Sequence, residues 1–534
     1  MKTNFLKIIF LNLLFISSLF SNSFEEDINK LKTNSLKTKQ IVVNEITEKY
    51  IDDERTNILL EYMMKGELFY TKADGTFVIL EKKDGSIYHT KTFLDNKVLE
   101  PMKKSMFKKV KTNNRLRSII KTKLAEMNLF SSNVEKRLRS AKNILLNVSN
   151  EFEPIIDKAL EKEENSSVKE KLLEAKTILN AQNLTGSEQI KSVSNLSNFI
   201  SSKSLATLKE ISISANSSKE LKETALKSIS SVETTRSYWS VVETAFFGLS
   251  MGSVLLLAAI GLAITFGVMK VINMAHGEMM MIGAYTTYTL QQIMPAIMEY
   301  SIIIAIPVAF IVSGIVGIII ERLVIRHLYG RPLETLLATF GISLILQQVV
   351  RTIYSPLNQE VKTPSWMSGA WEVNSALSLT YNRLYIIIFA LIVFASILLL
   401  LNKTSLGLKV RAVTQNRQMA QAMGIKTSWI DAMTFGLGSG IAGIAGVALS
   451  QLTNVGPNLG QAYIVDSFMV VVFGGVGNLW GTLIGAITLG EINKFIEPVA
   501  GAVLAKVIIL VFIILFIQKK PRGLFPQKGR DAED

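Results

Sequence analysis

The 534-residue chain contains no cysteine, which excludes disulfide bridges and thiolate metal sites. It holds only three histidines, and no His, Asp or Glu cluster has metal-ligand spacing. No GxxxxGK[ST] phosphate-binding loop occurs, so the chain is not by itself a conventional ATPase. HExxH and a serine nucleophile elbow are missing too. The sequence therefore shows no catalytic apparatus. Charge is scarce in one half only. From about Val241 to Ile517 the chain is a series of long apolar runs, whereas Phe24 to about Ser237 is rich in Lys, Glu, Ser and Asn. The 49% hydrophobic content is thus unevenly spread, and two parts with different solvents are implied.

The net charge of +14 raises nucleic acid as a partner. Much of the basic excess, however, lies in short segments flanking apolar spans, where it sets membrane orientation. Lys2 and Lys7, the short apolar core Ile8 to Phe20 and the small residues Ser21-Asn22-Ser23 predict a signal peptide over 1–23. The alternative is an uncleaved anchor. Residues 24–113 and 114–238 are then expected to be exported.

In the first of these, ELFYTKADGTFVILEKKDGSIYHT alternates as strands do, with turns at Asp74-Gly75 and Asp84-Gly85, and predicts a three-stranded meander. His89 reads as a surface strand residue. After Asn113 the period becomes helical, with Leu116, Ile119, Ile120 and Leu124 on one face. VEKRLRSAKNIL from Val134 returns as VKEKLLEAKTIL from Val168, aligning Ala141 with Ala175. Such a period fits stacked helical pairs, and a plain helical bundle fits as well. Partner binding is the functional expectation for this region.

Residues 239–518 form the expected membrane domain, with 519–534 as a basic tail. Apolar segments fall near 243–268, 277–292, 301–320, 334–352, 383–401, 430–452, 463–475, 481–492 and 500–517. Several are shorter than the roughly 20 residues of a full span. Gly474, Gly475, Gly477 and Asn478 mark a helix break, which a membrane allows only where backbone is buried or lines a cavity. Arg322, Arg326 and Arg331, the loop from Lys403 to Lys426, and the tail with Lys519, Lys520, Arg522, Lys528 and Arg530 are the basic segments. The positive-inside rule places all three in the cytoplasm. An outside start and an inside end require an odd number of crossings; nine is expected. Gly248/Gly252, Gly436/Gly440 and Gly481/Gly485 are spaced for close helix approach, within the chain or in a dimer. The predicted fold class is mainly α: a polytopic helical membrane domain preceded by an exported part with a β-meander and helical repeats.

Within that apolar half, INMAHGEMMMIGAY places Asn273, His276 and Glu278 within six positions. An ionised side chain at bilayer centre costs about 2.5–3.5 kcal/mol on insertion scales, so such groups face protein, water or a solute. Asp466 and Glu491 lie in later apolar segments. These five residues are the candidate polar pathway. For Asn273 and His276 the alternative is capping of a helix break; for Glu278 it is pairing with Lys270 or Lys506; for Asp466 it is a solvated outer mouth. The Met279–Met281 run reads as helix packing rather than a metal relay.

Four ordered segments carry a resemblance: GLAITFGVMKVINMAHGEMMMIGAY from Gly261, LATFGISLILQQ from Leu337, GLKVRAVTQNRQMAQAMGIKT from Gly407, and VVVFGGVGNLWGTLIGA from Val470 followed by PRGLF at Pro521. From about Glu243 to Arg530 the chain resembles the membrane permeases of branched-chain amino acid ABC importers. INKFIEPVAGAVLAKVIILVFIILFIQKKPRGLFPQKGR, from Ile492, resembles more particularly the B-type permease subunit of urea importers, which also commonly carries an exported extension. The resemblance implies that residues 402–426 hold a cytoplasmic helix docking on a separate ATPase. Arg411 and Arg417 would lie on its polar side, Ala420 and Met423 would pack, and Gly424 would end it. It further implies a second permease subunit, two ATP-binding subunits and an exported solute-binding protein as partners. No cofactor is expected on this chain, ATP being used by the partner. The expected location is the bacterial inner membrane. Urea is the expected solute; branched-chain amino acids or short amides are the alternative. A membrane receptor and a passive channel are readings of other classes.

Overall fold

The computed structural model describes residues 24–50, 53–84, 87–269 and 271–525. The expected signal segment, Lys270 and the tail residues Lys528 and Arg530 lie outside the described residues. The chain separates into two compact units, Met1–Thr235 and Arg236–Asp534.

The first unit opens with two helices that the residue pattern of 24–113 had not marked, α1 (Leu36–Lys49) and α2 (Glu54–Lys65). Ser35 and Asp53 cap them by accepting from the backbone N–H groups of Thr38 and Arg55. Their buried faces are narrow (Val42, Val43 and Ile46; Leu59, Leu60 and Met63) and dilute in lysine and glutamate, which hides the helical period. The meander follows as β1 (Leu68–Thr71), β2 (Phe77–Asp84) and β3 (Ile87–Thr92). Two short strands, β4 (Met102–Lys103) and β5 (Phe107–Lys109), extend it to five in the order β4-β3-β2-β1-β5. Gly75 takes φ 75° in the β1–β2 turn, a conformation glycine adopts without steric cost.

Helices α3 (Asn114–Leu129), α4 (Val134–Leu146), α5 (Glu153–Lys162), α6 (Ser166–Asn183), α7 (Ser187–Asn195) and α8 (Ser202–Ile213) complete the unit, together with the first turns of α9 (Lys219–Met269). The two copies of the sequence repeat fall on α4 and α6. Their matched alanines, Ala141 and Ala175, are both fully buried in one core with Ile156, Leu172, Ile178 and Leu208. A small side chain at that position lets the helices approach.

The second unit contains, after α9, helices α10 (His276–Ile293), α11 (Ser301–Leu323), α12 (Pro332–Tyr354), α13 (Tyr381–Lys403), the short pair α14 (Ser405–Gln415) and α15 (Arg417–Ala422), α16 (Thr427–Ser450), α17 (Leu459–Gly474), α18 (Leu479–Ala500) and α19 (Ala502–Lys519). Among the described residues six helices are long and apolar enough to cross a membrane: α9, α11, α12, α13, α16 and α19. Of the other three large ones, α10 and α18 carry more polar groups and α17 is short. The nine together correspond to the nine apolar segments of the sequence.

Helix α16 is the packing centre. Nearly every residue of it is buried, and glycines pave its surface. A Cβ at Gly446 would collide with the Met280 carbonyl of α10, one at Gly443 would lie 2.7 Å from the Ala309 carbonyl oxygen of α11, and one at Gly438 would lie 2.7 Å from the Gly261 carbonyl oxygen of α9. Helix backbones thus touch directly, which in lipid is the main source of association. The three small-residue pairs are all used inside the chain: Gly248 and Gly252 against α18, Gly436 and Gly440 against α11, and Gly481 and Gly485 against α17.

Two outcomes test these constraints. Gly446→Leu puts side-chain atoms where only backbone can move, so it should lower folded-state stability by at least about 1–3 kcal/mol. Gly341, around which a Cβ meets nothing within 4 Å, should accept alanine with a gain of up to about 1 kcal/mol. Thermal denaturation in detergent reads both. In the first unit, Asp27 accepts from Lys30 (2.8 Å), Lys49 (2.7 Å) and the Tyr50 hydroxyl (3.0 Å). The Lys30 and Lys49 ammonium groups hold its carboxyl down to about 2, below the ordinary 3.8. Its stabilising effect is therefore complete above pH 3.8 and is lost as pH falls through about 2. Asp27→Asn should flatten acid unfolding across that window, by about 1 kcal/mol after solvent screening.

Candidate functional site

Residues preceding α10 form an irregular turn inside the bundle. The Asn273 side chain accepts from the Ala275 N–H at 3.0 Å, and the Met274 N–H donates to Thr339 Oγ1 at 3.1 Å. His276 is fully buried, and its Nε2 lies 3.0 Å from the Ala258 carbonyl. That contact makes Nε2 the protonated nitrogen. A Cβ on Gly261 would lie 2.8 Å from His276 Cε1, so the glycine makes room for the ring. The Asn273 side chain thus bonds backbone at the break, whereas His276 reaches the backbone inside α9.

Glu278 faces elsewhere. Its Oε1 accepts from Ser343 Oγ (2.9 Å) and Gln347 Nε2 (2.8 Å), both on α12. Its Oε2 is buried and has no hydrogen-bond partner. Thr339, Ser343 and Gln347 recur every four residues, so one face of α12 presents a polar stripe to α10. Two turns further along both helices the seam becomes aromatic. Tyr285 stacks on Tyr354 with ring centroids 4.7 Å apart, and Tyr288 meets the same ring edge-on at 6.0 Å. The Tyr354 hydroxyl shares a 2.6 Å hydrogen bond with Thr289. The Tyr285 hydroxyl, like Glu278 Oε2, is buried and without a hydrogen-bond partner. One turn before Tyr354 on α12, Arg351 donates to Asn458 Oδ1 at 2.7 Å. One polar seam thus runs between α10 and α12, with two unused polar atoms in it.

The remaining pathway candidates do not join this seam. Lys506 pairs with Asp466 at 2.9 Å, which corrects the expectation that Lys506 pairs with Glu278. Asp466 is also buried rather than solvated. It shares a small cavity with Asn493, Met251 and Leu489. Glu491 packs against Gly248 of α9, with Oε2 buried and lacking a hydrogen bond. Ser343, Gln347, Tyr285 and Tyr354 are absent from the expected set. The four-residue spacing of Thr339, Ser343 and Gln347 inside an apolar run was the available signal.

Two further segments have clear structural roles. Gly475 and Gly477, at φ 105° and 79°, turn the chain from α17 into α18. Asn478 caps α18 by accepting from the N–H groups of Trp480 and Gly481. The PRGLF segment seals this turn: Leu524 and Phe525 N–H donate to the Phe473 and Gly474 carbonyls at 2.9 and 3.1 Å. The G-x-S-x-G pattern counted as missing from the sequence does occur, as Gly248-Leu249-Ser250-Met251-Gly252, but it lies inside α9 with Ser250 fully buried and forms no elbow. No group of three or more metal-binding side chains occurs among the described residues.

A bundle of apolar helices with polar groups held inside it is that of a multi-pass membrane protein. The family described as "Branched-chain amino acid transport system / permease component" matches residues 244–517, and the chain belongs to it. The permease protein BraD of the high-affinity branched-chain amino acid transport system of Pseudomonas aeruginosa is 29% identical over 287 residues, covering 52% of this chain and 93% of BraD. LivH of Escherichia coli is 29% identical over 292 residues, with the same coverages. The ribose import permease protein RbsC of Escherichia coli is 25% identical over 235 residues, covering 42% of this chain and 71% of its own. No solved structure matches. The first unit precedes the family match.

Glu278→Gln separates function from stability. Glutamine still accepts from Ser343 but removes an acidic group whose second oxygen is buried and unpartnered. Thermal stability should hold or rise by about 1 kcal/mol, while solute uptake by cells expressing the variant at normal level falls at least tenfold. Unchanged uptake kinetics would remove Glu278 from the path.

Proposed function

We propose that this chain is the transmembrane permease subunit of an ABC importer for urea, driven by a separate ATPase that docks on residues 402–426. The observation that carries the coupling role is the α14–α15 pair. Ala420 packs inward with Val410, Val413 and Ile430, while Met419 and Met423 are 60% and 77% exposed and Leu408 63%. An apolar tip on a basic segment fits a protein groove rather than solvent. Gly424, at φ 84° with open space around it, ends the pair. Arg411 donates back to Asn402 at 3.2 Å, from an exposed position.

The seam supports a neutral, hydrogen-bonding solute. Urea offers four N–H donors and one acceptor, and the seam has spare oxygens at Glu278 and Tyr285. A zwitterionic amino acid would also need a cation for its carboxylate, and Arg351 on α12 is engaged by Asn458. The C-terminal likeness from Ile492 and the presence of a first unit ahead of the family region support urea as well. A second reading, branched-chain amino acids, is favoured by what BraD and LivH are named to carry.

In this reading the partners are a second permease, two ATP-binding subunits and an exported solute-binding protein. The chain lies in the bacterial inner membrane with its first unit outside, binds no cofactor, and leaves ATP to the partner. Nucleotide-driven closure moves the docked pair as a rigid body, and alternating access follows. The test is uptake of labelled urea by cells carrying the whole system, with leucine and acetamide as competitors. Competition by unlabelled urea but not by leucine is expected. Leucine uptake without urea uptake would establish the second reading.

A further inference from the structure

In the expected docking segment one charged side chain faces the bundle rather than a partner. Arg417, the first residue of α15, turns inward and pairs with Asp431 on α16 through both terminal guanidinium nitrogens. Asp431 is fully buried. The same guanidinium lies over the Tyr329 ring, 5.0 Å from its centroid. The Tyr329 hydroxyl donates to Glu321 Oε1 at 2.8 Å, and Glu321, on the last turn of α11, is also fully buried. Arg322 lies 3.7 Å from the second Glu321 oxygen and donates to Ser428 of α16 at 3.0 Å. Charged and aromatic groups from α11, the α11–α12 loop, α15 and α16 thus form one connected cluster.

Such a cluster is costly as packing alone. Two buried carboxylates must each be desolvated, and a buried ion pair is often no more stabilising than apolar residues of the same shape. Its geometry has another use. Arg417 is rigidly connected to the docking pair, because Asn416 closes α14 and caps α15 with a bond to the Met419 N–H at 2.9 Å. Asp431 and Glu321 stand on the two helices, α16 and α11, that pack against α10, the helix that carries Glu278. A bidentate guanidinium–carboxylate contact fixes direction as well as distance, so a push on α15 is delivered to α16 without slip.

We infer that Arg417, Asp431, Tyr329 and Glu321 are positioning residues that convert movement of the ATPase-docked helix pair into movement of the α11–α16 core. This rests on the ABC importer reading above. Loosening the cluster should leave ATP hydrolysis running while solute movement falls: the complex becomes uncoupled rather than inactive. Loss of folded protein would lower both together.

The test uses the whole importer, purified through this chain with its ATP-hydrolysing subunit and reconstituted into liposomes. Solute accumulated per ATP hydrolysed is measured for the unsubstituted complex, Asp431→Asn and Tyr329→Phe. The Tyr329→Phe change removes one hydroxyl and keeps the ring beneath Arg417, so it remains informative should Asp431→Asn fail to assemble. We expect at least a fivefold fall in the ratio for Asp431→Asn, about twofold for Tyr329→Phe, and partial recovery in Asp431→Glu. An unchanged ratio in the variants, with the ATPase still bound, overturns the inference alone. If no ATP-hydrolysing subunit accompanies the unsubstituted chain, the importer reading falls and the inference with it.

Discussion

The membrane half depends on direct backbone contact along α16. Its glycines remove the side-chain layer that normally separates helices, so α9, α10 and α11 approach until carbonyl oxygens meet glycine Cα atoms. In lipid no hydrophobic force draws apolar helices together; close van der Waals packing and hydrogen bonds must do it. The same contacts have a second consequence. They hold α10, one of the more polar helices of the bundle, away from lipid. Gly277 meets Gly460 of α17 and Gly283 meets Gly443 of α16 on the faces of α10 flanking Glu278. An acidic group is tolerated in the bundle because the glycines leave its helix no exposed side there.

Burial alone does not make the seam useful. Polar groups in a low-dielectric interior are stabilising when satisfied and costly when not. Thr339, Ser343 and Gln347 satisfy one oxygen of Glu278 and the turn before α10, yet leave Glu278 Oε2 and the Tyr285 hydroxyl unpartnered. Those atoms mark where the molecule gives up stability. In a transport protein a passing solute can supply the missing partners for the duration of its passage, and weak, temporary satisfaction favours release as much as entry.

What the sequence disclosed follows from where its signal is local. Apolar run lengths, basic flanks and the strand alternation around Asp74-Gly75 are short-range, and the nine segments, the β-meander and the repeat pairing Ala141 with Ala175 could be read directly. Helices α1 and α2 were hidden because only a narrow stripe of each is buried. Glu278 stood out as a charge in an apolar run, but its partners are 65 and 69 residues away on α12, and nothing in a single chain aligns those positions. Lys506 was set beside Glu278 as one alternative, and its pairing with Asp466, 40 residues away, was not foreseen for the same reason. Arg417 was read from its helix face alone. Its inward turn depends on Asp431 lying under α15, which only the packing of α16 decides.

The two ends of the seam are held by different chemistry, and that difference gives the bundle a direction. Near Tyr354 the closing contacts are neutral or singly charged and partly exposed: Thr289 with Tyr354, Arg351 with Asn458, and paired Gln359–Val455 backbone bonds at 2.7 and 2.8 Å. Water can replace each of these at small net cost, since hydrogen bonds to solvent are nearly equivalent. At the opposite ends of α11 and α16, Arg417 meets Asp431 in a bidentate ionic contact with Asp431 fully buried, and breaking it would strand that charge away from water. Thermal motion is therefore expected to loosen the Tyr354 end first, while the Arg417–Asp431 end yields only to a force applied through α15. In the importer proposed above, that asymmetry separates an entrance that opens by fluctuation from an exit that opens when the docked helix pair is moved.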